Sequence, residues 1–152
     1  MKRDSRLSGV LHVLLHMMEK DRDVATTSEQ LAKAMGTNPV VIRRIFSGLR
    51  DSGFISSEKG HGGGWRISCD PEKVTLAQIY RAVGSPAVLA MGHRKETPGC
   101  RVEQCVNSAL EGAFRAAEAT MLARFNEITL AQLARDFRGR LGRGKKEKNH
   151  AV

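Results

Sequence analysis

Apolar residues along this chain keep distinct rhythms, and each rhythm predicts a different kind of element. Near the N-terminus Leu7, Val10, Leu11, Leu14, Leu15 and Met18 recur at the spacing of one helical face. That spacing predicts a core-packing helix from about Ser5 to Lys20, which Asp21-Arg22-Asp23 then interrupts. Thr27-Ser28-Glu29-Gln30 has the form of a capping box at the start of a second helix. Leu31, Ala32 and Met35 face inward, and Gly36 suits the positive φ on which helices often end. Asn38 reads as the N-cap of a third helix, and Pro39 fits its first turn, where an N–H has no partner to lose. Ile42, Ile45, Phe46 and Leu49 follow the i, i+3, i+4, i+7 stripe until Gly53 stops it. Two short helices joined by a tight glycine turn result, the second carrying Arg43, Arg44 and Arg50 opposite its apolar side.

The rhythm then shortens. Phe54–Glu58 and Trp65–Ser68 read as two strands around the loop Lys59–Gly64, where Gly60, Gly62, Gly63 and Gly64 allow positive φ and close backbone approach. Asp70-Pro71 ends the hairpin. Thr75-Leu76-Ala77-Gln78 is another capping box, starting a helix through about Val83 that Gly84-Ser85-Pro86 breaks. Pro86 to Gly99 shows no clear period and reads as a loop. From Val102 to Glu127 a long helix follows, in which Val106, Leu110, Ala113 or Phe114, Ala117, Met121 and Phe125 alternate steps of three and four, as in a coiled-coil seam. Ala109, Ala113, Ala116 and Ala117 would let a partner helix come close, and too little chain is left to cover this helix, so a homodimer is expected. Thr129-Leu130-Ala131-Gln132 repeats the capping pattern before a last helix ending near Phe137. The expected fold is mainly α with a small β-hairpin. It divides into a winged helix-turn-helix DNA-binding head over 1–83, a sensor loop over 84–101, dimerisation helices over 102–137 and a basic disordered tail over 138–152.

Composition narrows the class of protein. A chain of 152 residues with 41% hydrophobic content builds one ordinary globular core. The apolar stretch Val10–Met18, broken by His12 and His16, is too short to span a bilayer. It also lacks a signal-peptide cleavage pattern, so a cytoplasmic protein without a membrane partner is expected. The net charge of +9 favours a polyanionic partner. Part of that excess lies between Arg138 and Lys148, where six basic residues stand against Glu147. A glycine-spaced basic tail of this kind adds either sequence-blind attraction to DNA or only solubility. Cys69, Cys100 and Cys105 are odd in number and carry no secretion signal, so they read as core thiols, redox sensors or metal ligands rather than structural disulfides.

A helix in the major groove reaches base edges with its N-terminal residues. On that basis the DNA-binding residues are Thr37, Asn38, Val40, Arg43, Arg44 and Ser47. Arg43 or Arg44 can pair with guanine O6 and N7, and Val40 can touch a thymine methyl. Lys59 and His61 at the hairpin tip reach phosphates or the minor groove, whereas Trp65 reads as the anchor of the hairpin rather than a base stacker. The glycine loop is a poor nucleotide cradle, because neither a helix N-terminus nor Lys-Ser/Thr follows it. Cys100 stands near the start of the long helix, where a helix dipole favours the thiolate form. Arg94 and Arg101 are close in sequence, and Cys105 is about one turn on. Oxidation to a sulfenic acid and then a disulfide, within or between subunits, could shift the dimer helices. The alternative is that one or both cysteines are small buried hydrophobes. His93 with Cys100 and Cys105 would form a weak metal site, since a C-x4-C pair lacks two strong ligands, and no metal is expected. His12 and His16, at i and i+4, lack the glutamate of a zinc-protease motif. Without a nucleophile, base and acid together, an enzyme is not expected.

These features together resemble the Rrf2 family of bacterial winged helix-turn-helix transcription regulators, from about Ser5 to Phe137. Asn38-Pro39-Val40-Val41-Ile42-Arg43-Arg44-Ile45 carries part of the likeness. The run Lys59-Gly60-His61-Gly62-Gly63-Gly64-Trp65-Arg66-Ile67 is similar to the family's glycine-rich wing. Cys100 before the long helix and Ile128-Thr129-Leu130 after it complete the pattern. The resemblance implies a homodimer that binds a palindromic operator in double-stranded DNA, usually as a repressor. Iron–sulfur members of the family typically carry three closely spaced cysteines before the long helix. Only Cys100 and Cys105 lie there in this chain, and Cys69 sits at the end of the wing, where the family has no ligand. The Asn-Pro-Val-Val segment also looks more like members without a cluster, so the resemblance implies no cofactor. The expected function is a sequence-specific DNA-binding regulator switched by cysteine oxidation. The alternatives are an iron–sulfur or metal-sensing regulator of the same family and a sequence-nonspecific, architectural nucleic-acid binder. An architectural binder would protect random DNA almost as well as its own promoter.

Overall fold

The computed structural model describes residues 4–20, 24–88 and 98–148. Along them run α1 (Arg6–Glu19), α2 (Ser28–Met35), α3 (Pro39–Asp51), β1 (Ile55–Glu58), β2 (Gly64–Ile67), α4 (Leu76–Ala82), α5 (Arg101–Glu127) and α6 (Leu130–Lys148). The mainly helical fold with one small antiparallel hairpin is the expected one. Asp21-Arg22-Asp23, His93 and Arg94 lie outside the described residues, as does the middle half of the expected sensor loop, 89–97.

Local chemistry sets the helix ends. Thr27 Oγ1 accepts from the Gln30 N–H at 3.2 Å, and Gln30 Oε1 accepts from the Thr27 N–H at 3.0 Å, closing the capping box of α2. Thr75 and Gln78 repeat that exchange at α4. Gly36 ends α2 at φ +61, a left-handed conformation that an L side chain resists, and so turns the chain into α3.

The core lies where α1, α2, α3 and the hairpin meet. Val10, Val13, Leu14 and Met17 of α1 pack with Leu31 of α2, with Ile42, Ile45, Phe46 and Leu49 of α3, and with Ile55 and Trp65 of the hairpin. The strands pair Ile55 with Ile67 through Glu58 with Gly64, leaving Lys59 to Gly63 as the loop. The ladder stops one residue short of the expected Phe54 and Ser68, where the Phe54 carbonyl instead accepts the N–H groups of both Ser68 and Cys69. Trp65 also pairs with Thr26 in both directions, each bond 2.9 Å, so the segment before α2 acts as a short third rung.

α5 departs from this pattern, with Asn107 as its sole buried residue among those described. The predicted seam is split. Phe114, Met121 and Phe125 are half-buried, and Phe125 meets Tyr80 of α4 edge-on with ring centroids 6.2 Å apart. Val106 and Leu110 are 51% and 37% exposed, and Val102 beside them is 74% exposed. The turn between α5 and α6 is fastened to the segment after the wing. The Leu76 N–H donates to the Ile128 carbonyl at 2.9 Å, and the Leu130 N–H donates to the Val74 carbonyl at 2.8 Å. α6 then returns to α1, where Arg138 Nε donates to Glu19 Oε1 at 2.8 Å and Phe137 meets the His16 ring.

α6 does not end near Phe137. It continues to Lys148, through most of the segment expected to be a disordered tail. A helix already nucleated by its Thr129 cap, whose Oγ1 accepts the Gln132 N–H at 3.1 Å, adds residues without a new nucleation cost. Lysine and arginine are good helix formers, and cations near a helix C-terminus interact favourably with its dipole.

Gly48 marks the closest approach of α3 to α4, because a Cβ there would stand 2.2 Å from the backbone carbonyl oxygen of Ala82. Backbone cannot swing aside as a flexible side chain can. Gly48→Ala is therefore expected to lower stability by about 2 kcal/mol, despite a helix-propensity gain of about 1 kcal/mol. Urea unfolding checks this, and an unchanged or raised midpoint would refute it.

Candidate nucleic-acid interface

The outer face of α3 is built from its N-cap upward. Asn38 Oδ1 accepts the N–H groups of Val40 and Val41, both at 3.0 Å, so this oxygen holds the helix start and is engaged within the chain. The Asn38 amide nitrogen makes no hydrogen bond among the described residues and can donate outward. Thr37 is exposed beside it. Val40 is 70% exposed, an uncommon setting for a large aliphatic side chain on the first turn of a helix and a suitable one for meeting a thymine methyl.

Successive residues on a helix are turned by about 100°, and this separates Arg43 from Arg44. Arg43 lines a groove of about 310 Å³ between α3 and the hairpin, together with Arg50, Ser57 and Lys59. Arg44 and Ser47 line a second groove of about 450 Å³ on the opposite flank, with Arg6 and Asp51. Arg43 has one weak ionic contact, 3.7 Å to Glu29 of α2, with both side chains well exposed. Arg44 has no ion pair among the described residues. The Ser47 hydroxyl donates to the Arg44 carbonyl at 2.7 Å, which leaves its oxygen free to accept. Lys59 and His61 are exposed at the tip of the hairpin.

Arg50 belongs with this surface, although the sequence reading kept it out of the site. It lies seven residues after Arg43 and therefore on the same helix face, a spacing that could have assigned it. Arg6 is the other addition. Its guanidinium is held by Asp4, whose carboxyl is held below the usual carboxylate range by the Arg6 side-chain hydrogen bond. Behind the surface, Trp65 is 7% exposed, donates from Nε1 to Ser28 Oγ at 3.0 Å and meets Phe46 edge-on at 5.4 Å. Its place is in the core, as the anchor of the hairpin.

The cysteines stand apart from this face. Cys100 is the half-buried N-cap of α5 and makes no side-chain cap bond, while Cys105 is exposed on the helix itself. The Gln104 N–H donates to the Cys100 carbonyl, so helical geometry already begins at Cys100. Five residues of helix rise about 7.5 Å, beyond the ~7 Å between Cα atoms that a disulfide can span. A bond between Cys100 and Cys105 of one chain would require α5 to unwind. Cys69 packs against the core at the foot of the hairpin. Among the described residues no three His, Cys, Asp or Glu side chains are grouped so as to hold a metal ion. At the other end of α5, burial and the nearby Glu118 push the Tyr80 phenol up, and its hydroxyl donates to the Pro86 carbonyl at 3.0 Å.

Two helices joined at a left-handed glycine, the second with a basic outer face, and a glycine-tipped hairpin beside it define the winged helix-turn-helix class. The pattern of the Rrf2 family, described as an iron-dependent transcriptional regulator, matches residues 3–136, and the chain belongs to this family. It is 33% identical over 120 residues to YwnA of Bacillus subtilis (strain 168), which is assigned to the HTH-type transcriptional regulators. That match spans 78% of this chain and 86% of the relative. It is also 30% identical over 95 residues to the HTH-type transcriptional regulator IscR of Aliivibrio salmonicida (strain LFI1238), spanning 62% of this chain and about half, 53%, of that relative. The crystal structure of a regulator from Lactobacillus plantarum superimposes with a TM-score of 0.73 at 21% identity, covering 95% of this chain and 98% of that one. At that identity the likeness is one of fold. Among the described residues no helix is long and apolar enough to cross a membrane.

The two kinds of contact on this face separate experimentally. Arg44→Ala should weaken binding to a specific site by roughly 1–3 kcal/mol, the range of a good bidentate base contact, and relax preference at one base pair. Lys59→Ala should weaken binding to all sequences alike and reduce the salt slope by about one. Fluorescence anisotropy over a salt series distinguishes these results, and unchanged affinity of the Arg44 variant at matched salt removes its assignment.

Proposed function

We propose that this protein is a sequence-specific transcriptional regulator, a repressor, that binds a palindromic operator in double-stranded DNA as a homodimer. The observation that carries the reading is the outer face of α3. An N-capped helix presents Val40, Arg43 and Arg44 outward with Lys59 and His61 beside it, and none of these residues is needed to hold the core. Membership of a family of transcriptional regulators supports DNA as the target of that face. The same membership favours a cytoplasmic protein that is not an enzyme.

Dimerisation is assigned to α5. Its N-terminal half exposes Val102, Val106 and Leu110, next to the small residues Ala109 and Ala113. Apolar side chains on one helix face gain by leaving water, about 25 cal/mol for each Å² buried, and a second copy of the helix offers the matching surface. Leu110→Glu is expected to shift the protein toward monomer and cost specific binding more than tenfold. Sedimentation velocity beside the anisotropy titration checks this, and an intact dimer would refute the assignment of α5.

The signal is assigned to the cysteines, with oxidation linking subunits rather than Cys100 and Cys105 of one chain. Cys105 lies exposed on the helix that carries the proposed dimer face, while Cys100 caps it. The cysteine set does not fit a cluster held within one chain, since Cys69 packs at the foot of the hairpin and only Cys100 and Cys105 stand at α5. The regulator is therefore assigned no iron–sulfur cofactor.

The test is binding to the protein's own upstream DNA at fixed salt, reduced and then peroxide-treated, with Cys100→Ala and Cys105→Ala in parallel. A specific complex whose affinity changes on oxidation in the parent, but not in one of the variants, supports both parts of the reading. Specific binding indifferent to oxidation removes the thiol switch. Equal affinity for random DNA removes the regulator.

A further inference from the structure

A groove of about 280 Å³ lies between α1 and α2, away from the recognition face. Its floor is apolar, with Met17 and Leu31, and α1 lines its rim with His12, His16 and Lys20. The two imidazoles are one helical turn apart, with ring centroids at 4.8 Å. None of the lining residues carries a carboxylate, and the amide oxygen of Gln30, which also lines the groove, already accepts the Thr27 N–H.

Thr26 completes the wall. It is 5% exposed, and its Oγ1 has no hydrogen-bond partner among the described residues. Buried hydroxyls in native folds are nearly always paired, and an unpaired one points to a partner not yet counted. The backbone of Thr26 is meanwhile fully used, since its N–H and carbonyl both bond to Trp65. The residue with the orphan hydroxyl is thus the one that pins the wing, and α2, the opposite wall, is the first helix of the helix-turn-helix.

We propose that this groove is a binding site for a small organic carboxylate with an apolar body. The Thr26 hydroxyl donates to a carboxylate oxygen, Lys20 supplies the complementary charge, the His12–His16 pair supplies ring N–H donors, and the apolar body lies on Leu31. Met17 is the side chain that gives way to admit it, being unbranched and flexible. Occupancy acts on the rung between Thr26 and Trp65 and on the seating of α2. The consequence for DNA rests on the regulator reading above, whereas the binding site does not.

Benzoate, with benzyl alcohol as its uncharged counterpart, is titrated into the full chain while the Met17 methyl, Thr26 methyl and His16 ring resonances are followed by NMR. Saturable shifts at these groups are expected, with benzyl alcohol at least tenfold weaker. Thr26→Val and Lys20→Ala should each cost about tenfold in affinity, the size of one hydrogen bond to a charged group. Thr26→Val keeps the shape and removes only the unpaired hydroxyl, so its unfolding midpoint should hold or rise, which separates lost binding from a lost fold. Shifts that do not saturate, an equal response to benzyl alcohol, or unchanged affinity in both variants would overturn the site. Operator affinity is measured on the same samples. If benzoate binds without altering it, the coupling to the wing is refuted. If the free protein binds no operator at all, the regulator reading fails and the site stands or falls on the NMR result.

Discussion

A two-stranded hairpin does not hold itself together in water, and the wing of this protein is stable because of one side chain. From its place in β2 opposite Ser57, Trp65 sends its side chain into the core, where it meets Phe46 of α3 and bonds Ser28 at the start of α2, while its backbone exchanges both bonds with Thr26. One residue thus fixes the hairpin to both helices of the helix-turn-helix. The spacing between Arg43 on α3 and Lys59 on the wing is set by that insertion, so the groove they share has walls of fixed separation. Gly64 allows it at φ +146, where its bare Cα lies against the Thr26 carbonyl and a Cβ would come within 2.8 Å of the oxygen.

The parts of this fold that were legible in the sequence are those decided by neighbours in the chain. Thr27 with Gln30 and Thr75 with Gln78 announce helix starts because both partners of each capping box lie within one turn. Gly36 and Pro39 do the same for the turn between α2 and α3. The stripe of Ile42, Ile45, Phe46 and Leu49 names the buried face of the recognition helix and hence the outer face by subtraction. What sequence could not show depends on distant partners. Nothing near Thr26 reveals that its backbone belongs to the wing while its hydroxyl lacks a partner. The division of Arg43 and Arg44 between two grooves needs the hairpin in place on one flank and α4 on the other. Gly139, Gly142 and Gly144 read as a tail in sequence, whereas α6, already capped at Thr129, extends past Phe137 without a new nucleation cost. Cys100 and Cys105 looked close on paper, and helical rise keeps them apart.

The long helix and the head are joined by backbone rather than by side chains alone. Leu76 and Leu130 donate across to Ile128 and Val74, and Thr75 pairs with Thr129, so the turn between α5 and α6 is part of the segment that leaves the wing. Arg138 and Phe137 bring α6 back to α1 beside Glu19 and His16. Val74 and Leu130 also belong to the core, so a rotation of α5 against its surroundings would be felt both there and at the foot of the hairpin. The uncovered half of α5 is the half far from this junction, so its exposed apolar surface and its link to the head stand at opposite ends of one helix.

The contact between Gly48 and the Ala82 carbonyl also bears on how such a protein diversifies. It ties the recognition helix to its neighbour at the level of main chain, and Ile42, Ile45, Phe46 and Leu49 tie it below. The positions that remain open to exchange are the exposed ones, 40, 43, 44 and 50, where a new side chain meets solvent. If that outer face reads DNA as proposed, inheritance can alter which DNA is read while leaving the scaffold untouched. Paralogues built on this head can part company in target within a few substitutions, each tolerated by the fold from the moment it arises.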